Sequence, residues 1–107
     1  MSTKQANQPV EIGGSDYETV AASQNAQVLG GVGAKGDFIA RLTLNVFDTA
    51  NASVVLIDGS TPFIIQTSGN TQTGTRVVEL GMRSKTGPWK LTTGAGVRVI
   101  AIGQFSV

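Results

Sequence analysis

Apolar and polar side chains alternate with a period of two through most of this chain. Phe38, Ala40, Leu42, Leu44 and Val46 alternate with Asp37, Arg41, Thr43 and Asn45, and Ile39 interrupts the pattern near its start. Successive side chains of an extended backbone point to opposite faces, so this stretch predicts a strand with one apolar face. Residues 53–57 predict a second strand, with Val54 and Leu56 on one face and Val55 and Ile57 on the other. Two apolar faces place it inside the fold or beneath a subunit contact. Pro62 introduces Phe63, Ile64 and Ile65, a strand at a sheet edge or at its own start. In residues 76–82, Val78, Leu80 and Met82 face inward and Val77, Glu79 and Gly81 outward. Trp89, Leu91 and Thr93 then share one face, which puts Trp89 in the core. Val97, Val99 and Ala101 form the return strand, with Ile100 and Ile102 loading its other face.

Turn chemistry separates these runs. Residues 48–52, Asp58-Gly59-Ser60, residues 84–88 and Gly94-Ala95-Gly96 are the breaks. Residues 15–29 admit two readings. Ser15-Asp16-Tyr17-Glu18 has capping-box spacing, and Tyr17, Val20 and Ala21 share a helical face, but Asn25 and Gln27 break that face. Alternation around the polar Ser23-Gln24-Asn25 turn favours two short strands instead. About eight short strands in series predict an all-β fold, an antiparallel β-sandwich that is jelly-roll-like, as a single domain over residues 17–107. Residues 1–16, rich in Gln, Asn, Ser and Gly, predict a flexible N-terminal arm. Its apolar pair, Val10 and Ile12, either docks on a neighbouring subunit or belongs to a solvated tail.

Composition narrows the class. Only 14% of residues are charged and the net charge is +1, which favours a protein packed against copies or partners. Near-neutrality argues against a nucleic-acid binder, which needs many cations to displace counterions. With no apolar run near 18 residues and no signal-like start, the expectation is a protein made in the cytoplasm without a membrane anchor.

The absence of His and Cys removes the commonest general base, nucleophile and transition-metal ligands. The seven carboxylates sit mostly beside Gly, Asn or Ser, where turn capping explains them, so neither an enzyme nor a cofactor is expected. Gly31, Gly33 and Gly36 spell G-x-G-x-x-G, but a dinucleotide site needs a helix next, and an alternating strand follows. The glycines are therefore read as a connector using positive φ angles. Five of the eight basic residues, Arg76, Arg83, Lys85, Lys90 and Arg98, fall in the last third. They are either ordinary outward strand and turn positions or a patch for an acidic partner surface or for phosphate.

The stretches G-A-K-G-D-F-I-A-R-L-T-L-N-V, V-V-L-I-D-G-S and V-V-E-L-G-M-R-S-K-T-G-P-W-K-L-T-T-G-A-G-V-R-V-I-A-I-G together resemble small virion proteins of tailed bacteriophages, of the head decoration or cement type. The likeness spans roughly residues 28 to 103 and is most specific over residues 80–99. It implies a jelly-roll unit, a dimer or trimer, that binds the capsid exterior and bridges major capsid proteins, with no catalytic residues, no nucleic acid and no membrane. Exposure and composition put the partner contacts on the arm and on the loops at 30–36 and 68–75. The residues expected there or beside them are Val10, Ile12, Lys35, Asn70, Arg76, Arg83 and Lys85. A carbohydrate- or receptor-binding tail or fibre component on the same sandwich is the alternative. Sugar sites expose aromatic faces, so Trp89 and Tyr17 distinguish the two.

Overall fold

The computed structural model describes residues 16–67 and 72–107; the expected arm with Val10 and Ile12, and Asn70, lie outside the described residues. Eight strands follow in order: β1 (Asp16–Val20), β2 (Gln27–Val28), β3 (Phe38–Val46), β4 (Val54–Asp58), β5 (Thr61–Gln66), β6 (Gly74–Arg83), β7 (Trp89–Thr93) and β8 (Val97–Gln104). A short 3-10 turn at Thr49–Asn51 is capped by the Asp48 side chain. No described helix is long and apolar enough to cross a membrane.

All strand pairs are antiparallel and form two four-stranded sheets, β1-β8-β3-β6 and β2-β7-β4-β5. Hydrogen-bonded pairs join the first strand to the eighth, the second to the seventh, the third to the sixth and the fourth to the fifth. Only the Gly59-Ser60 turn between β4 and β5 stays within one sheet; every other connection crosses to the other sheet. Residues 16–28 thus form two strands, as the alternation favours. They do not pair with each other, because β1 joins β8 and β2 joins β7.

The core lies between the sheets. Leu42, Leu44, Val99 and Ala101 from one and Val54, Leu56, Trp89 and Leu91 from the other form a single buried cluster, the arrangement of a β-sandwich. The expected inward faces of β7 and β8 are buried, and of the two apolar faces of β4 the Val54 and Leu56 face is buried while Val55 and Ile57 are partly covered. On β3 the outcome differs: Ile39 is fully buried, while Phe38 and Ala40 are only partly covered. The register slips between Ile39 and Arg41 against both neighbours, a bulge that turns Ile39 inward. Ile39 broke the alternation for this reason.

The Gly94–Gly96 corner packs backbone to backbone on residues 48–51. Gly96 N donates to Asn51 O at 2.6 Å, and Gly96 O accepts from Phe47 N and Asp48 N. A Cβ on Gly96 would collide with the Asp48 carbonyl, so only glycine closes this corner.

One residue ties the end of the sandwich together. Trp89 is 1% exposed, and its Nε1 donates to Asp37 O at 2.9 Å. Ser84 N donates to the same carbonyl at 2.9 Å. The Asp37 carboxylate accepts from Ala34 N (3.0 Å), Ser106 N (2.9 Å) and the Ser106 hydroxyl (2.7 Å). Asp37 itself is buried, so each lost acceptor leaves a poorly hydrated donor. Asp37→Ala takes the acceptor from two backbone amides and the Ser106 hydroxyl and is expected to cost at least about 2 kcal/mol, the two amides at the low end of the usual penalty, in urea denaturation followed by Trp89 fluorescence. Asp16→Ala, at an exposed position, should stay within about 0.5 kcal/mol.

Candidate interaction surface

The described carboxylates are largely committed to holding loops. Glu18 accepts from Gly30 N at 2.6 Å and from Gln27 Nε2 at 2.9 Å, linking the two sheets beside β1 and β2. Asp48 accepts from Ala50 N, and Glu79 pairs with Arg41 at 3.2 Å. That ion pair is exposed on both sides and adds at most about 1 kcal/mol. No group of three or more His, Cys, Asp or Glu side chains converges among the described residues.

Asp58 organises the 84–88 turn. Its two oxygens accept from Lys85 N at 2.9 Å and Thr86 N at 3.1 Å. Burial pushes its pKa up, but hydrogen bonds from Lys85 N, Thr86 N, the Thr86 hydroxyl and Gly87 N outweigh that and hold it below the usual 3.8.

The glycine-rich loop has the expected positive φ angles, +83° at Gly31, +69° at Gly33 and +96° at Gly36. Its amides already have partners. Gly33 N donates to Ser106 O, Gly36 N to Ser84 and Ala34 N to Asp37. The loop runs into β3 rather than a helix, so no phosphate cradle forms.

Among the basic candidates, the fold gathers three and separates one. Arg83 Nη1 donates to Gly36 O at 3.2 Å, and its guanidinium lies 5.6 Å from the Phe38 ring centroid. Gly36 N also reaches Ser84 O at 3.1 Å, so the loops bearing Lys35 and Lys85 are stitched together around Arg83. Lys35, Arg83 and Lys85 are all exposed at this end. Arg76 lies seven residues away along β6, roughly 23 Å, with Nη2 3.4 Å from Ile65 O.

The outward face of β1-β8-β3-β6 is a surface that the charge pattern does not mark. Register places Tyr17 beside Ile102 and Ile102 beside Arg41 in one row, and Thr19, Ile100, Thr43 and Val77 in the next. Tyr17 is 73%, Val77 52% and Ile100 38% exposed. A shallow groove of about 690 Å3 continues this face, lined by Thr19, Gln24, Thr43, Asn45, Arg98 and Ile100 among others. Each outward apolar residue is legible from alternation, but their meeting in adjacent rows depends on strand order. Trp89, by contrast, is enclosed and offers no stacking face.

Comparison with protein-family models, with curated proteins and with solved structures finds no match to the chain. Function is therefore argued from these surfaces.

The low pKa of Asp58 has a measurable consequence. A carboxyl with a depressed folded pKa stabilises fully above its unfolded value and loses that contribution as pH falls through the folded one. Asp58→Asn should cost about 1–3 kcal/mol at neutral pH, because one backbone amide then faces an amide NH2. The gap between the variant and the parent should narrow from about pH 4 towards pH 2, read from denaturation midpoints.

Proposed function

We propose that this protein is a structural virion component, a tailed-phage head decoration protein that binds the capsid exterior and bridges neighbouring major capsid proteins. The observation that carries this is the apolar cluster of Tyr17, Ile102 and Ile100 on the outward β1-β8-β3-β6 face, with exposed Val77 beyond Thr43 in the Ile100 row. A contiguous apolar patch on a sheet face is what a protein partner buries, and many copies on a regular shell multiply a modest affinity. Strand order supports the fold half of the reading. Pairing first with eighth, second with seventh, third with sixth and fourth with fifth is what a double-stranded ribbon gives when it rolls over on itself, and we take the sandwich as a jelly roll. The resemblance over residues 80–99 points the same way. In this reading the protein is made in the host cytoplasm, acts on the capsid surface as a homo-oligomer, and needs no cofactor, nucleic acid or membrane.

One feature favours a second reading. Tyr17 stands exposed beside a groove lined by hydroxyl and amide groups, which suits a glycan or receptor on a tail or fibre. The enclosed Trp89 takes away the larger stacking face that this reading would use.

Incubation of the purified protein with expanded heads lacking it, followed by imaging at subunit resolution, separates the two. Decoration at symmetric capsid sites is expected; bare heads together with Tyr17 fluorescence changes on adding host glycans would favour the second reading. Ile100→Asp should weaken head binding at least about tenfold, the effect of losing a central apolar contact, with the fold intact. Ala95→Asp, on the exposed corner before β8, should leave binding unchanged.

A further inference from the structure

The two open sides of the sandwich are finished differently. Beside β1 and β2, Glu18 bonds Gly30 and Gln27, Gln24 N donates to the Thr93 hydroxyl, and that hydroxyl donates to Ala21 O. Beside β5 and β6 the inward residues are left partly bare. Phe63 is 40% exposed although its neighbour Leu56 on β4 is fully buried, and Val78, Leu80 and Met82 of β6 are only half-buried. A groove of about 580 Å3 opens here, with Phe63, Met82 and Trp89 along it and Arg83 and Lys85 on its rim. Among the described residues β6 is also an edge strand, pairing with β3 on one side only. An unpaired edge above an uncovered apolar floor is a site for an added strand.

The chain carries a segment of matching chemistry. Within residues 1–15 the sequence Pro9-Val10-Glu11-Ile12-Gly13 holds an apolar, acidic, apolar triplet. Extended, it sets Val10 and Ile12 on one face and Glu11 on the other. We propose that this segment of a second copy of the chain docks along the free edge of β6. Val10 and Ile12 enter the groove between Phe63 and Met82, and Glu11 faces the Arg83 and Lys85 rim.

Reach selects the second copy over the same chain. Asp16 begins β1, at the far edge of the β1-β8-β3-β6 sheet, three strand spacings or about 14 Å from β6. The four residue steps from Asp16 back to Ile12 cover at most about 14 Å fully extended. The chain's own segment would be taut on arrival, with nothing left to turn along β6. A neighbouring copy has no such limit, and reciprocal exchange makes a closed, isologous pair.

The absence of cysteine makes the test clean. Full-length Ile12→Cys and Met82→Cys variants, each checked for folding by Trp89 fluorescence, are mixed and mildly oxidised. A mixed disulfide dimer is expected, formed at least about tenfold faster than with Ala95→Cys in place of Met82→Cys, reflecting docked proximity. Val10→Asp combined with Ile12→Asp should shift the unmodified protein towards monomer by at least about tenfold in dissociation constant. Two results overturn the proposal: no mixed disulfide above the Ala95→Cys level, or an intrachain disulfide in the Ile12→Cys, Met82→Cys double variant that outcompetes the mixed one. Neither bears on capsid binding through the opposite sheet face.

Discussion

Burial of Trp89 is the constraint on which this fold turns. An indole can enter an apolar interior at little cost only if its N–H finds an acceptor there, and Asp37 O supplies it. The same residue, through its carboxylate, holds the glycine-rich loop at Ala34 and the C-terminal segment at Ser106. Its carbonyl also accepts from Ser84, the residue after β6. Three stretches distant in sequence, residues 34–37, 84–89 and 106, therefore meet at one buried polar point. Both sheets are locked at that end, since Asp37 leads into β3 and Trp89 begins β7.

From this closed end the sandwich becomes less symmetrical towards its sides. Side-chain hydrogen bonds seal the β1 and β2 side, where the two strands belong to different sheets and share no ladder bonds, and β2 is two residues long. The β5 and β6 side has longer strands, and its half-covered apolar residues are available for association. With 14% charged residues and a net charge of +1, self-repulsion is weak over this surface. The outward rows around Ile100 lie on the second strand of their sheet, whereas the groove with Phe63 and Met82 opens at the β6 edge.

Charge commitment has a similar logic. Glu18, Asp37, Asp48 and Asp58 are turned to backbone amides, where a carboxylate accepts several bonds and fixes a turn. The cations Lys35, Arg83 and Lys85 have no carboxylate partner among the described residues and stand exposed at one end. Asp37 and Asp58 are buried while Lys35, Arg83 and Lys85 are exposed, so the charge exposed at this end is positive although the net charge is near zero.

Period-two alternation sufficed to find the strands of the described residues, the inward faces of β7 and β8, and the burial of Trp89, because these depend on residues one or two apart. Glycine and proline punctuation marked the turns for the same local reason. Alternation failed at Ile39, where a bulge set by pairing with β6 and β8 turned an apparent interruption into a core residue. It was also silent on the two strands of residues 16–28 joining different sheets, on the gathering of Lys35, Arg83 and Lys85 away from Arg76, and on the apolar rows around Ile100. Asp37 read as one more turn carboxylate. Its role exists only where residues 34, 84, 89 and 106 converge, and such convergence is a property of strand order, which local periodicity does not encode.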